Sequence, residues 1–202
     1  MTRWRVVGDS AELPVVTFGH RSALWWGTIG YMVIEGWTLA ICAGTYLYLR
    51  NMAAVWPPAA TPLPGLGMSS ANVALMLVSF GPVWWTDRAA RRLDKLGVRV
   101  GLTICSVLGL GFLVLRWLEF QNLNTAWQAN AYGSIVWATI AFHSSLLVLQ
   151  VAEVVGLTAI VFRRQVPVRF MSDTADAALY WYFIVLAWLP LYLMIYIFPR
   201  FA

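Results

Sequence analysis

Four ionisable side chains lie inside long apolar runs of this 202-residue chain, where a charged group is costly: Glu35, Arg116, Glu119 and His143. Each is therefore a candidate for proton or ion chemistry, or for a buried hydrogen bond between helices. Glu35, in the middle of its run, is interpreted either as a proton-linked carboxylate or as a protonated acid bonded to a neighbouring helix. On the sequence alone we favour the second interpretation.

The other three residues favour structural roles over catalysis. Arg116 and Glu119 are three residues apart, a spacing at which side chains meet on a helix, so they are a candidate ion pair near a membrane edge, with a substrate-ion role as the alternative. His143 could in principle be an axial haem ligand. The only other histidine, His20, lies on the N-terminal arm, so a bis-histidine haem is not expected. No catalytic residue and no metal ligand set is predicted.

The composition excludes several classes of protein. The chain is 60% hydrophobic and only 11% charged, which is far from the composition of soluble domains. Cys42 and Cys105 stand in apolar runs without metal-ligand spacing. The net charge of +5 comes from residues that cluster at the ends of apolar segments, so lipid headgroups explain it and no nucleic-acid partner is expected.

Five segments are long and apolar enough to cross a bilayer as helices, which predicts an all-α membrane protein with five transmembrane helices. A cytoplasmic N-terminal arm is expected over residues 1–22, and one transmembrane domain over residues 23–202. Four prolines between the first two spans forbid a continuous helix there. The predicted spans are about 23–49, 66–85, 98–120, 132–162 and 177–198.

The basic residues set the expected orientation, because Lys and Arg accumulate on the cytoplasmic side of a membrane. Only Arg50 and Arg200 flank the spans on the opposite side. We therefore predict a cytoplasmic N-terminus and a C-terminus outside. The residues on the predicted inner side are Arg3, Arg5, Arg21, Arg88, Arg91, Arg92, Lys95, Arg99, Arg163, Arg164 and Arg169.

Several segments, taken in order, resemble the cytochrome c oxidase subunit III family in its short, five-helix form. WWGTIGYMVIEGWTLAICAGTYLYLR (25–50) is similar to a family helix with a mid-membrane glutamate, at Glu35 here. WPPAATPLPG (56–65) resembles the family's WPP loop, and LGFLVLRWLEF (110–120) its FLxxQxxEW stretch, with Glu119 at the glutamate. AYGSIVWATIAFHSS (131–145) and YWYFIVLAWLPLYLMIY (180–196) resemble its last two helices.

The chain departs from the family pattern at four polar positions. Leu146 stands at the second histidine of the family's HGxHV stretch. Tyr182 replaces the histidine, and Val185 the aspartate, of YWHFVDVVW. Arg116 stands where glutamine is common. The resemblance therefore carries over Glu35 and His143 as proton-linked or structural intramembrane residues, but no wider polar network.

The resemblance implies a non-catalytic subunit III of a respiratory haem-copper oxidase in a bacterial inner (plasma) membrane. Such a subunit would stabilise catalytic subunit I, bind phospholipid and support proton uptake, with subunits I and II as partners and with haem and copper only in those partners. Arg50 and Trp56, at the outer end of the first span, are the candidates for binding lipid.

Two other functions remain open at this point. The altered motifs are compatible with an accessory subunit of a nitric-oxide reductase or of another specialised respiratory complex. A small proton-coupled transporter would use Glu35, Arg116 and His143 as a relay, although the inverted repeats common in transporters are not evident.

Overall fold

The computed structural model describes residues 16–163 and 167–201, and within these ranges every regular element is helical. Five helical segments are long and apolar enough to cross a membrane, as the sequence predicts. Most of the predicted N-terminal arm, including Arg3 and Arg5, lies outside the described residues, as does Arg164.

Six α-helices make up these five spans. The first span is α1, and the second consists of α2 and α3, which meet end to end. Helix α6 continues through a π-helical turn, Leu193–Ile197, and a short 3-10 turn, Phe198–Arg200. The helices are α1 (Ala23–Met52), α2 (Leu66–Val78), α3 (Phe80–Arg91), α4 (Lys95–Gln121), α5 (Ala131–Val161) and α6 (Arg169–Tyr192).

The second span is interrupted at Ser79, and the residues around the break explain it. Pro82 has no N–H to offer to the preceding turn, so the regular ladder of backbone bonds cannot continue across this point. The Ser79 hydroxyl donates to the Met76 carbonyl at 2.5 Å and accepts a bond from Trp181 Nε1 at 2.9 Å. A side chain of α6 therefore fixes the break from across the bundle.

The last helix begins earlier than the hydropathy pattern indicates. The predicted span starts at residue 177, whereas α6 starts at Arg169. Asp173 and Asp176 give this segment the composition of a loop, but Thr174, Ala175 and Asp176 are buried because α6 packs closely against α3. Tertiary packing thus extends the helix through charged residues.

The helices pack unevenly around the bundle. Helices α4, α5 and α6 form its centre, and α1 rests on α5 and α6 alone among the long helices. Only 17% of the apolar window of α1 is buried, against 44% for the last span. One broad face of α1, with Ile34 and Trp37, is therefore left exposed.

The proline-rich connection between α1 and α2 is fastened to the loop between α4 and α5. Asn124 Nδ2 donates to the Leu63 carbonyl at 2.9 Å, and Asn130 Nδ2 donates to Thr61 Oγ1 at 3.0 Å. Trp56 packs edge-on against Tyr46 and Tyr132 beneath this loop. The end of the bundle opposite the basic residues is therefore closed by ordered chain.

Candidate functional site

The two members of the candidate ion pair lie together inside the bundle. Arg116 Nη1 is 2.9 Å from Glu119 Oε2, and the residues are only 2% and 1% exposed. They occupy the last turns of α4, close to the end of a span, but they face the other helices and not the membrane. Because the opposite charges are adjacent, the pair as a whole is neutral, as a buried site requires.

Residues from two further helices bind the same carboxylate. Tyr196 donates to Glu119 Oε1 at 2.6 Å, so the chain that continues α6 is joined to α4. Asn72 Nδ2, in α2, approaches Glu119 Oε2 at 3.4 Å. Both carboxylate oxygens of Glu119 therefore have donors, and three helical segments meet at one side chain.

His143 extends this network to α5, and its tautomer follows from its partners. Arg116 Nη2 lies 3.1 Å from His143 Nδ1, and guanidinium groups only donate, so Nδ1 must accept. Nε2 lies 3.1 Å from the Ile184 carbonyl, which only accepts, so Nε2 carries the proton. His143 is therefore a neutral imidazole whose two nitrogens are both engaged, and a metal could bind only by breaking one of these bonds.

An aromatic ring completes the site. The Arg116 guanidinium lies 4.0 Å from the centre of the Trp188 ring, and the His143 ring is 4.5 Å from the same ring, centre to centre. Trp188 is fully buried, so this cation–π contact is not weakened by solvent. The whole arrangement, which we name the arginine clamp, consists of Asn72, Arg116, Glu119, His143, Trp188 and Tyr196.

Glu35 lies in a different place, between α1 and α6. Tyr180 donates to Glu35 Oε2, and the Tyr180 ring also packs against Tyr31, with 5.6 Å between ring centres. Glu35 is 3% exposed, and its second oxygen, Oε1, is buried without a hydrogen-bond partner. No hydrogen bond in the described part of the chain joins this carboxyl to His143, so the structure does not bring the two intramembrane candidates together.

The candidate lipid-binding residues are near each other but differ in exposure. Arg50 is in the last turn of α1, half-buried, and lines a shallow surface pocket with Leu47 and Tyr48. Trp56 has its indole nitrogen buried, and its ring packs against other aromatic residues. Of the two, Arg50 is the one whose side chain lines a surface pocket.

At three of the positions where a family polar residue is replaced, the new side chain packs against other apolar or aromatic side chains. Leu146 and Val185 are almost wholly buried in the apolar core. The Tyr182 ring packs against Phe80, with 5.4 Å between ring centres. Arg116 is the one replacement that adds a charge, and Glu119 balances it. In the described ranges, no group of three or more His, Cys, Asp or Glu residues could hold a metal ion.

Sequence reasoning did not predict four residues of these sites: Asn72, Tyr180, Trp188 and Tyr196. Tyr180 and Trp188 belong to the YWYFIVLAW segment, so the resemblance of that segment was a usable signal. Tyr196 ends the same resembling segment, but its contact with Glu119 was not predictable from it, because that contact depends on the π-helical turn that changes the phase of α6.

Comparison with known proteins agrees with this architecture. The chain matches the family model described as cytochrome c oxidase subunit III over residues 24–200. It is similar to cytochrome c oxidase subunit 3 of Thermostichus vulcanus, with 24% identity over 179 residues, covering 87% of each chain. It is also similar to that of Synechocystis, with 22% identity over 183 residues, covering 89% of this chain and 77% of the relative. The relative from Loxodonta africana is 29% identical over 153 residues, which is 72% of this chain but 56% of that one. With nearly all of its helical region matched by the family model, the chain belongs to the cytochrome c oxidase subunit III family.

Proposed function

We propose that this chain is the non-catalytic subunit III of a respiratory haem-copper oxidase of the cytochrome c type, bound to catalytic subunit I and accompanied by subunit II. Membership of the family makes it a subunit of a haem-copper oxidase. The observation that carries the finer proposal is the arginine clamp, in which Arg116 and Glu119 of α4 are engaged with one another and with neighbouring helices. Haem and copper are then supplied by the partner subunits.

The first role we assign is stabilisation of the catalytic subunit. The arginine clamp supports this role because it ties α2, α4, α5 and α6 together from within. Removing one member of a buried ion pair costs about 3–5 kcal/mol, so these four helices cannot move apart at the clamp without a large loss of stability. A bundle that remains folded can support a larger partner during turnover.

The second role is phospholipid binding in a groove between α1 and α6. The groove has a volume of about 380 Å³ and is lined almost wholly by apolar atoms, with Gly36, Ala40 and Ala43 on the α1 side. Leu47 lines both this groove and the pocket beside Arg50. An acyl chain in the groove would therefore bring its phosphate to a guanidinium, which suits phosphate geometrically.

This role predicts a specific loss. Arg50→Gln removes the charge but keeps a polar side chain, so the complex should retain fewer phospholipids after detergent washing, as counted by lipid mass spectrometry. Arg88→Gln, at the other end of the bundle, is the control and should leave that lipid count unchanged. Equal retention in both variants would contradict a site at Arg50.

The third role is support of proton uptake, and Glu35 is the residue to which we assign it. A carboxyl at this depth with one unpartnered oxygen has room to exchange a proton, which a fully bonded carboxyl lacks. We assign no proton role to His143, because both of its ring nitrogens are engaged and Arg116 beside it opposes a second positive charge.

The location we propose is a bacterial inner (plasma) membrane, with the N-terminus in the cytoplasm and the C-terminus outside. The distribution of Lys and Arg supports this orientation. The similarity to cyanobacterial subunits over most of their length supports a bacterial setting. An accessory subunit of a nitric-oxide reductase is the second candidate, because Leu146 and Val185 replace family polar residues with apolar ones.

A mild-detergent affinity purification tests the proposal. We expect a twelve-helix catalytic subunit and a copper-bearing subunit to co-purify, identified by mass spectrometry, with a-type haem bands in the reduced-minus-oxidised spectrum. A nitric-oxide reductase as the partner would select the second candidate. Haem that follows the isolated chain would contradict a subunit without redox centres, and a chain that purifies alone would favour a transporter.

A further inference from the structure

A side-chain bond fixes how α5 and α6 lie against each other near the basic end of the bundle. Gln150 Nε2 donates to the Ala177 carbonyl at 3.0 Å, and the two helices run in opposite directions. About one helical turn closer to the basic end than this bond, Glu153 lies on α5 and Asp173 lies on α6. The two carboxyls therefore lie at nearly the same level on neighbouring helices, and Asp176 lies one turn further into the bundle.

Three buried oxygens in this region have no hydrogen-bond partner. They are Asp176 Oδ2, Gln150 Oε1 and Glu35 Oε1, on side chains that are all at least nine-tenths buried. Buried polar atoms in proteins are nearly always bonded, and leaving one unpaired is costly. Three such oxygens between one pair of helix ends and Glu35 therefore indicate a region that accepts water or exchangeable protons.

These groups follow one direction along α6. With a rise of 1.5 Å per residue, Asp173, Asp176 and Tyr180 lie about 6, 10 and 16 Å along the helix from Arg169. Tyr180 then donates directly to Glu35. Asp176 and Tyr180 are one helical turn apart on the same face of α6, about 6 Å along the axis, a separation that a short chain of water can bridge.

The surrounding charges leave Asp176 without a dedicated cation. Arg91 on α3 is the nearest opposing charge, but its Nε is 2.9 Å from both oxygens of Asp87. On α6, Arg169 acts on Asp173, nearer the surface. Within the chain itself Glu153 is exposed and Asp173 is half-buried, whereas Asp176 is buried.

We infer that a proton-exchange path runs from the basic end of the bundle to Glu35. The path, here named the acid ladder, consists of Asp173, Glu153, Asp176, Gln150 and Tyr180. The inference rests on the proposed role of Glu35 and adds the route by which its proton is exchanged. The species carried is the proton, with water as its carrier between the side-chain oxygens.

Each transfer in the acid ladder conserves charge and needs no oxidant or reductant. A protonated Glu35 passes its proton to the phenol oxygen of Tyr180 as the Tyr180 hydroxyl proton leaves to a water on the side of Asp176, and the reverse step returns a proton from solvent, so one O–H bond forms for each that breaks. Asp176 exchanges its proton in turn with Glu153 or Asp173, and Asp173, in the first turns of α6, exchanges with bulk water. Gln150 neither gains nor loses a proton; its free Oε1 accepts a hydrogen bond and holds a water in position.

Hydrogen–deuterium exchange at the Glu35 carboxyl tests the route in the intact purified oxidase complex. The C=O stretch of the protonated acid is assigned by its loss in Glu35→Gln, and its shift is followed by infrared spectroscopy after transfer to D₂O. Asp176→Asn and Tyr180→Phe should each slow this shift at least about tenfold, since a positioned proton-transfer group typically contributes more than that. Asp176→Glu should restore it. Thr174→Val, a buried change on the same helix whose hydroxyl bonds only the Phe170 carbonyl, should leave it unchanged.

The results separate this inference from the proposed function. Exchange at the wild-type rate in both Asp176→Asn and Tyr180→Phe overturns the acid ladder, and so does equal slowing in Thr174→Val. Proton uptake during turnover is measured in the same complexes. If Glu35→Gln leaves uptake unchanged while the ladder variants slow exchange, the route stands and the proton role of this subunit is wrong. If Glu35→Gln slows uptake but the ladder variants exchange normally, only the route is wrong.

Discussion

Replacing Arg116 with methionine tests whether the arginine clamp holds the bundle together. The change leaves the Glu119 carboxylate buried without its counter-charge, and it removes the donor to His143 and the cation over Trp188. Breaking one side of a buried ion pair costs about 3–5 kcal/mol, which is a large part of the stability of most domains. We expect Arg116→Met to lower the free energy of unfolding by this amount.

The chain contains a natural control for this experiment. Arg91 and Asp87 form an ion pair with the same N–O distance, 2.9 Å, but the Arg91 side chain is 50% exposed. An exposed pair contributes about 0–1 kcal/mol, so Arg91→Met should have little effect. Both changes break an Arg–carboxylate pair, so the excess cost at Arg116 measures burial together with its contacts to His143 and Trp188.

The assay is reversible unfolding of the purified chain in mixed micelles, with the helical circular dichroism signal followed as a denaturing detergent is added. A double variant, Arg116→Gln with Glu119→Gln, removes both charges and keeps an acceptor for Tyr196. The double variant should lower the free energy of unfolding by less than the summed effects of Arg116→Gln alone and Glu119→Gln alone, and the difference should be about 0.5–3 kcal/mol. The reasoning is refuted if Arg116→Met is no more destabilising than Arg91→Met, or if the two single changes are additive.

Two further predictions concern the packing of the helices. A Cβ added at Gly109 would lie 2.9 Å from a methyl group of α5, whereas one added at Gly156 would meet no atom within 4 Å. Gly109→Ala should therefore destabilise the fold by about 1–3 kcal/mol in the same unfolding assay. Gly156→Ala should be neutral or stabilising by up to about 1 kcal/mol. Equal effects of the two changes would show that α4 and α5 do not approach this closely. Ser79→Ala leaves the buried Trp181 Nε1 without its acceptor and should cost about 1–3 kcal/mol, and the same change should cost less in a Trp181→Phe background, where no donor is left unpaired. If Ser79→Ala is equally costly in both backgrounds, the Ser79–Trp181 bond is not the cause.

The sequence was sufficient for the number of spans and for the family, because both depend on properties that add up along the chain. The start of α6 was not predictable in this way. Hydropathy treats Asp173 and Asp176 as loop residues, and only the packing of α6 on α3 makes this segment helical. The break at Ser79 has a local signal in Pro82, but the bond that fixes it was not predictable, since it comes from Trp181, which lies far away in the sequence.

In the candidate sites, contacts within one helix were predictable from the sequence, and contacts between helices were not. Arg116 and Glu119 are neighbours on one helix, so their spacing alone placed them within reach of each other. The partners Tyr196 and Tyr180 come from another helix, and their identities depend on the rotation of α6 about its axis and on the π-helical turn. Single-sequence periodicity does not fix the rotation of one helix relative to another.

The separation between Glu35 and its hydrogen-bond partner has a consequence for biosynthesis. Tyr180 follows Glu35 by 145 residues, so at about 5–20 residues per second a ribosome needs roughly 7–30 s to deliver it. During that interval α2 to α5 can assemble with α1, but the Glu35 carboxyl still lacks its donor from α6. A nascent chain that stalls before α6 therefore keeps an acid in the membrane without the hydrogen bond that it has in the finished fold.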